Sequence, residues 1–194
     1  MIKYLAILAS LAAQTLAVKS FGRCPKPTLQ SDFDISQYVG TWYEIARDKT
    51  LPFEYGDCVK VQYASLGGNL ISVHNSQLNP TTGAIDSIYG KAKCSGAQCN
   101  VNFFVFKLHK LNKHAFVFYT GDYRVLSTDY STYAIVYSCT NYLIAKTEAV
   151  WILSRTETLD AATLATAQSI ITSMTDYSLD NFYYTVQGGS CTYA

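Results

Sequence analysis

The chain has 194 residues, with 15 basic and 14 acidic side chains and six cysteines. That length suits one domain with a real core and is short for two. With charge nearly balanced and only 15% of residues charged, the chain lacks the basic footprint of a nucleic-acid binder. It equally lacks the polybasic segment of an electrostatic membrane anchor.

The first twenty residues read MIKYLAILASLAAQTLAVKS. Lys3 makes a short positive start, Tyr4 to Ala13 is mostly apolar, and Thr15-Leu16-Ala17 is a small-x-small cleavage site. The apolar run is too short to span a bilayer, so residues 1–17 are expected to be a signal peptide and 18–194 a single domain. No stable membrane insertion is expected. Loss of Lys3 leaves 14 basic against 14 acidic residues. An even cysteine count in a secreted chain suggests three disulfides. Cys94 and Cys99 are close, but no second pair of Cys or His completes a zinc set, so no metal site or cofactor is expected.

The segment VKSFGRCPKPTLQSDFD reads as an extended arm, and DFDISQY as a short helical turn capped by Asp32 or Asp34. Strands follow from Thr41 onward. CVKVQYAS alternates, with Val59, Val61 and Tyr63 on one face. Gly67 to Asn69 is a hairpin signal. LISVHNSQL puts Ile71, Val73 and Asn75 on one face and His74 on the other. AIDSIYGKAKC leads into CSGAQC, a tight loop whose ends, Cys94 and Cys99, are able to bridge the hairpin. VNFFVFKLHK, HAFVFYTG, YRVLSTD, STYAIVYSC and EAVWILSR complete about nine candidate strands. Many short strands joined by short turns argue for a meander or an up-and-down barrel. The content of 16 Tyr and 9 Phe suits an all-β protein. One late segment, LDAATLATAQSIITSMTDY, has helical spacing at Leu164, Ala167, Ile170, Ile171 and Met174, with Asp160 as N-cap. It is expected to pack outside the sheet, followed by a last short strand, NFYYTVQ.

Three patterns then stand in order: GTWYEIA with Gly40 and Trp42, TDYSTYAIVYSC opening on Thr128, Asp129 and Tyr130, and WILSR ending on Arg155. With the late helix and the cysteines, this order resembles the lipocalin family, most closely its apolipoprotein D-like, outer-lipocalin branch. The resemblance covers about Cys24 to Cys191. It implies an all-β fold: an eight-stranded antiparallel up-and-down barrel, closed at one end, with one C-terminal helix packed outside. Such a barrel is wide enough for one small ligand. It also implies that Trp42 plugs the closed end with Arg155 across it, a cation–π contact of about 1–2 kcal/mol, and that Gly40 turns the chain into the first strand. By position it pairs Cys24 with Cys139 and Cys58 with Cys191. Cys94 and Cys99 depart from the apolipoprotein D pattern and are then left to pair with each other. The stretch from Cys99 to Asp122 is longer than the family pattern needs. Either VNFFVFKLHK or HAFVFYTG is the fifth strand, and Lys107–His114 reads as a protruding hairpin tip, a solvated turn or a partner-binding loop.

Strand parity places Trp151 and Leu153 on the inward face with Arg155. Tyr63, Asn75 and Trp151 match pocket positions of the resembled branch, with Val61 and Val73 beside them. An apolar cup with few polar groups suits a lipophilic molecule. The loop DKTLPFEYGD resembles the family's flap at the open end, with Phe53 and Tyr55 as lid contacts or as sites for a homodimer or a membrane. The leading expectation is a secreted, extracellular binder or carrier of a small hydrophobic ligand: fatty acid, lysophospholipid, sterol, retinoid or pigment. An enzyme of this fold acting through a cavity thiol is one alternative. No Ser-His-Asp or paired-carboxylate pattern is evident, and Glu44, sharing the parity of Trp42, suits a structural hydrogen bond better than general-base work. The chain is thus expected not to be an enzyme. A further alternative is an extracellular interaction protein, such as a protease inhibitor or a ligand of a cell-surface receptor. A haem ligand would have to be His109 or His114.

Overall fold

The computed structural model describes residues 20–109 and 113–194, the side chains of 104–119 excepted. The signal-peptide reading of residues 1–17, the tip of the Lys107–His114 hairpin and the side chains of His109 and His114 lie outside the described residues. Two compact units divide the chain: Pro25–Ser138 with Ala149–Ala194, and the segment ending at Cys24 with Cys139–Glu148.

The arm carries β1 (Ser20–Phe21). A single helical turn, α1 (Ile35–Tyr38), follows; Asp34 caps it, its carboxylate accepting from Ser36 N. Then come β2 (Gly40–Asp48), β3 (Asp57–Gly67), β4 (Leu70–Leu78), β5 (Ile85–Ser95), β6 (Gln98–His109), β7 (Lys113–Thr128), β8 (Tyr133–Asn141) and β9 (Ala145–Ser154). Each neighbours the next, and β9 returns to β2, with Tyr43 opposite Ser154 and Arg47 opposite Trp151. The result is a closed eight-stranded antiparallel barrel, with the short strands at either end of the sheet order pairing onto β9 and β2. Helix α2 (Ala161–Met174) starts at Asp160, whose carboxylate accepts from Ala162 N and Thr163 N. It buries Ala167 and Ile171.

Eight barrel strands stand where nine candidates were read. HAFVFYTG and YRVLSTD are one strand, because the chain does not turn at Gly121. Gly121 sits opposite Val101 and Asp122 opposite Asn100, in unbroken register with β6. VNFFVFKLHK is therefore the fifth barrel strand, and HAFVFYTG begins the sixth. The two pair as far as His109 and Lys113, so the extra length is taken up by a long hairpin. Period-2 alternation buries Val61, Tyr63, Ile71, Val73 and Leu153 in one core with Trp42.

The β2–β3 ladder runs only from Gly40 opposite Tyr63 to Tyr43 opposite Lys60. Beyond it, β3 is bulged, and Cys58 adopts a left-handed φ of 54°. The chain's end fills the opened seam. β10 (Phe182–Tyr184) pairs with β2, and Val186 O accepts from Cys58 N at 2.9 Å. Gln187 Nε2 donates to both Glu44 O and Val59 O, at 2.8 and 2.7 Å. The disulfides are Cys24–Cys139, Cys58–Cys191 and Cys94–Cys99, with sequence separations of 115, 133 and 5.

These separations set unequal contributions in the chain-entropy account. Replacing Cys58 and Cys191 by Ser should lower unfolding free energy by about 5 kcal/mol, and replacing Cys94 and Cys99 by about 2 kcal/mol. Urea titrations of the two double variants would read the difference directly. Equal losses would mean that the loop-length account does not hold here.

Candidate functional site

The closed end is built around Trp42, which is fully buried. Its indole N–H donates to Tyr38 O at 2.8 Å. The Arg155 guanidinium lies 3.7 Å from its ring centroid. That guanidinium also donates to Tyr130 O (2.8 Å), Thr41 O (2.9 Å) and Gln37 O (2.8 Å), tying together three separate stretches of chain. Gly40, at φ 105°, lies under it: a Cβ there would come within 3.2 Å of Arg155 Nη1. The corner Thr128–Asp129–Tyr130 presents the carbonyl that Arg155 needs. Asp129 Oδ1 accepts from the backbone N–H of Ser131, Thr132 and Tyr133. Thr128 Oγ1 accepts from Tyr130 N, holding Tyr130 at φ 65°.

Next to this floor lies a chain of three tyrosine hydroxyls. Tyr123 meets Tyr38 at 2.6 Å and Tyr63 at 3.0 Å. Burial pushes all three phenols up, so they stay neutral hydroxyls. The apolar void beside them, lined by Ile71, Val101 and the Cys94–Cys99 bridge, holds only about 10 Å³. That is room for one water and too little for an organic ligand. A larger hollow of about 350 Å³ opens beside it, lined by Phe33 and Ile35 and by the turns that join β3 to β4 (Gly68, Asn69) and β5 to β6 (Cys94, Gly96).

At the mouth, the flap joining β2 to β3 is fastened to β4. Gln77 Oε1 accepts from Tyr55 N and Gly56 N, and Gln77 Nε2 donates to Phe53 O. The Tyr55 hydroxyl donates to Asp86 at 2.5 Å. Phe53 and Tyr55 stand outward, 58% and 51% exposed. The residue between them turns the other way: Glu54 Oε2 accepts from the Trp151 indole N–H at 2.6 Å. Beside it, Glu44 and Arg47, both nearly fully buried, form an ion pair at 2.6 Å, and Thr185 Oγ1 donates to Glu44 at 2.5 Å. Burial pushes the Glu54 carboxyl up to about 8, and the neighbouring Glu44 charge adds to the rise. Burial also raises Glu44, against the opposing pull of Arg47.

Of the residues read as pocket positions, Val61, Tyr63, Val73 and Leu153 sit in the core, and Trp151 packs against it. Asn75 is half-buried, and its Oδ1 is enclosed with no hydrogen-bond partner among the described residues. His74 lies on the other face of β4, its ring stacked 4.3 Å from that of Tyr89, which is 64% exposed. Three side chains escaped the sequence reading. Tyr123 was hidden because TGDY looks like a turn. Arg47 and Glu54 belong to a segment read for its aromatics, although the alternation in Phe53-Glu54-Tyr55 itself carries the signal for Glu54.

A carboxyl raised in the folded state binds a proton that the unfolded chain has already released. Its contribution is fully present below the unfolded value of 4.5 and is lost as pH rises through about 8. Stability should thus fall between those limits, and Glu54→Gln should flatten the slope. Chemical denaturation across that range would check it. An unchanged slope in the variant would assign the effect elsewhere.

Comparison with known proteins agrees with this architecture. The family model described as a lipocalin-like domain matches residues 33–187. Apolipoprotein D of Cavia porcellus is 34% identical over 179 residues, covering 89% of this chain and 88% of the relative. The Lazarillo protein of Schistocerca americana is 34% identical over 166 residues, covering 82% and 72%. Insecticyanin from the tobacco hornworm Manduca sexta superposes with a TM-score of 0.69 at 24% identity, over 86% of this chain and 87% of that one. That last likeness speaks to the fold alone. With a closed barrel, a tryptophan–arginine floor and relatives of this similarity over nearly its whole length, the chain belongs to the lipocalin family, on the side of apolipoprotein D.

Proposed function

We propose that the protein is a secreted carrier of a small hydrophobic ligand held in the upper barrel. The observation that carries this reading is the contrast between the two ends. The floor is filled by Trp42 and locked by Arg155. The upper barrel instead gathers apolar faces around one enclosed polar atom with no hydrogen-bond partner among the described residues, Asn75 Oδ1. Packing alone gives no reason to enclose an unpaired amide oxygen. A ligand with one polar end does. Val61, Val73, Leu153 and the Tyr63 ring are assigned to its apolar body, Asn75 and Trp151 to its polar group, and Phe53 and Tyr55 to the rim. Residues 1–17 are assigned as the signal peptide that directs export.

Catalysis through a cavity thiol is disfavoured, since all six cysteines are in disulfides. A second reading, as an extracellular interaction protein, draws on the smaller unit, where Phe21 is 82%, Leu143 96% and Ile144 72% exposed.

Native mass spectrometry of the exported protein, before and after solvent extraction, tests the carrier reading. A stoichiometric lipophilic adduct that extraction removes is the expected result. A protein that arrives empty, and takes up no lipophile when offered a lipid extract, would overturn it.

A further inference from the structure

We infer that the barrel mouth receives the cationic head of an amphiphile, a long-chain amine or ammonium, with Glu54 as its counter-ion and the Trp151 indole as its aromatic wall. This rests on the carrier reading and adds the ligand's head-group class.

The charge count at the mouth carries it. Arg47 is the one cation bonded there among the described residues, and it is committed. It pairs with Glu44, and gives its other donors to Thr185 Oγ1, Gly56 O and the backbone carbonyl of Glu54. None of those bonds reaches the Glu54 carboxylate. Among the described residues the hydrogen-bond partner of that carboxylate is a neutral donor, the Trp151 N–H. Arg47 still pulls on Glu54 from a distance, but it touches Glu44, so with Glu54 ionised two carboxylates share one guanidinium in a half-buried site, an arrangement that folding alone disfavours.

The second unused group is an amide oxygen. Asn75 Oδ1 is an enclosed acceptor with no donor. Asn75 lies one inward position below Gln77, the residue that fastens the flap carrying Glu54. Asn75 offers an amide N–H2 as well as Oδ1 and so serves a head group of either polarity; the excess negative charge at Glu54 decides in favour of one that donates and is positive. A carboxylate head would add a further negative charge beside Glu54 and Glu44. A hydroxyl would bring a hydrogen bond and no charge. A protonated amine brings the charge, and indole faces attract such cations.

Calorimetric titrations with dodecylammonium, dodecyltrimethylammonium, dodecanol and dodecanoate, all below micelle formation and near neutral pH, test this at constant chain length. The cations should bind about tenfold tighter than dodecanol, and dodecanoate weakest, as one partly desolvated charge pair would give. Glu54→Gln keeps an acceptor for Trp151, and should bring the cation-to-alcohol ratio near one. The trimethylammonium head does not titrate. Its affinity should rise from about pH 6 to about pH 9 in the native protein and stay flat in the variant. Groups facing Glu54 are Glu44 and Arg47 on β2, Tyr63 on β3 and Trp151 on β9; only the Glu54 contribution is lost in the variant. Dodecanol or dodecanoate binding as tightly as the cations, or a preference that survives Glu54→Gln, would overturn the head-group assignment alone. Failure of all four to bind would remove the carrier reading with it.

Discussion

The barrel depends on one stacked pair, the Arg155 guanidinium over the Trp42 indole. An eight-stranded barrel is open at both ends, and a binding cup needs one of them shut. Tryptophan is the largest available plug, but its edge leaves carbonyls of the incoming chain facing inward. Arg155 answers that problem because its planar fork can stack on the ring and still reach several acceptors. It takes carbonyls from α1, from β2 and from the β7–β8 corner. Its cation–π contact is worth about 1–2 kcal/mol, and each hydrogen bond from a charged donor about the same or more. The carbonyls repay the cost of withdrawing the charge from water, so this half-buried cation is stable without any carboxylate touching it. Lysine, a point charge with no fork, could not serve these three stretches of chain at once.

Closing the floor strains the barrel elsewhere. β2 has to follow β9 past a bulge between Glu44 and Ala46 and therefore leaves β3 beyond Tyr43. The opened seam leaves the carbonyls of Glu44 and Val59 without partners from the β2–β3 ladder, and a buried unpaired carbonyl is costly. The C-terminal segment supplies the missing partners, and the Cys58–Cys191 bridge keeps it in place. The flap leaves from the same seam. Arg47 holds the flap's backbone at Glu54 and Gly56 while its pair with Glu44 and Thr185 anchors the C-terminal segment. Seam and mouth are thus one hydrogen-bonded structure.

Much of the fold was legible because its signals are local. Alternation in β3 and β4, the helical spacing of α2 and the Asp160 cap each follow from a few neighbouring residues. The Gly40–Trp42 and Arg155 motifs were legible only through family resemblance, since nothing in their spacing says that residues so far apart must stack. The error at Gly121 has a physical origin. Glycine and aspartate favour turns in isolation, but twelve paired positions of β6 oppose the strand through that point, and pairing outweighs a local preference worth under about 1 kcal/mol. Site residues were less legible than strands. Parity tells which residues face inward, but Glu54 is in a loop, where parity has no meaning until Gln77 fixes the backbone.

The three ionisable groups at the mouth separate into two kinds by their surroundings. Glu44 and Arg47 are almost wholly buried and touch at 2.6 Å, so each ion solvates the other and further hydrogen bonds complete the shell. Such a pair contributes little net stability but fixes geometry, because removing either partner strands a charge. Glu54 has no such partner, and burial drives its carboxyl toward the neutral form. A chain selected for stability alone would place glutamine or a hydrophobe there, since glutamine would keep the Trp151 contact with no charge to desolvate. With the carboxyl there instead, its ionised form leaves the mouth with two carboxylates against the one Arg47 guanidinium among the described residues.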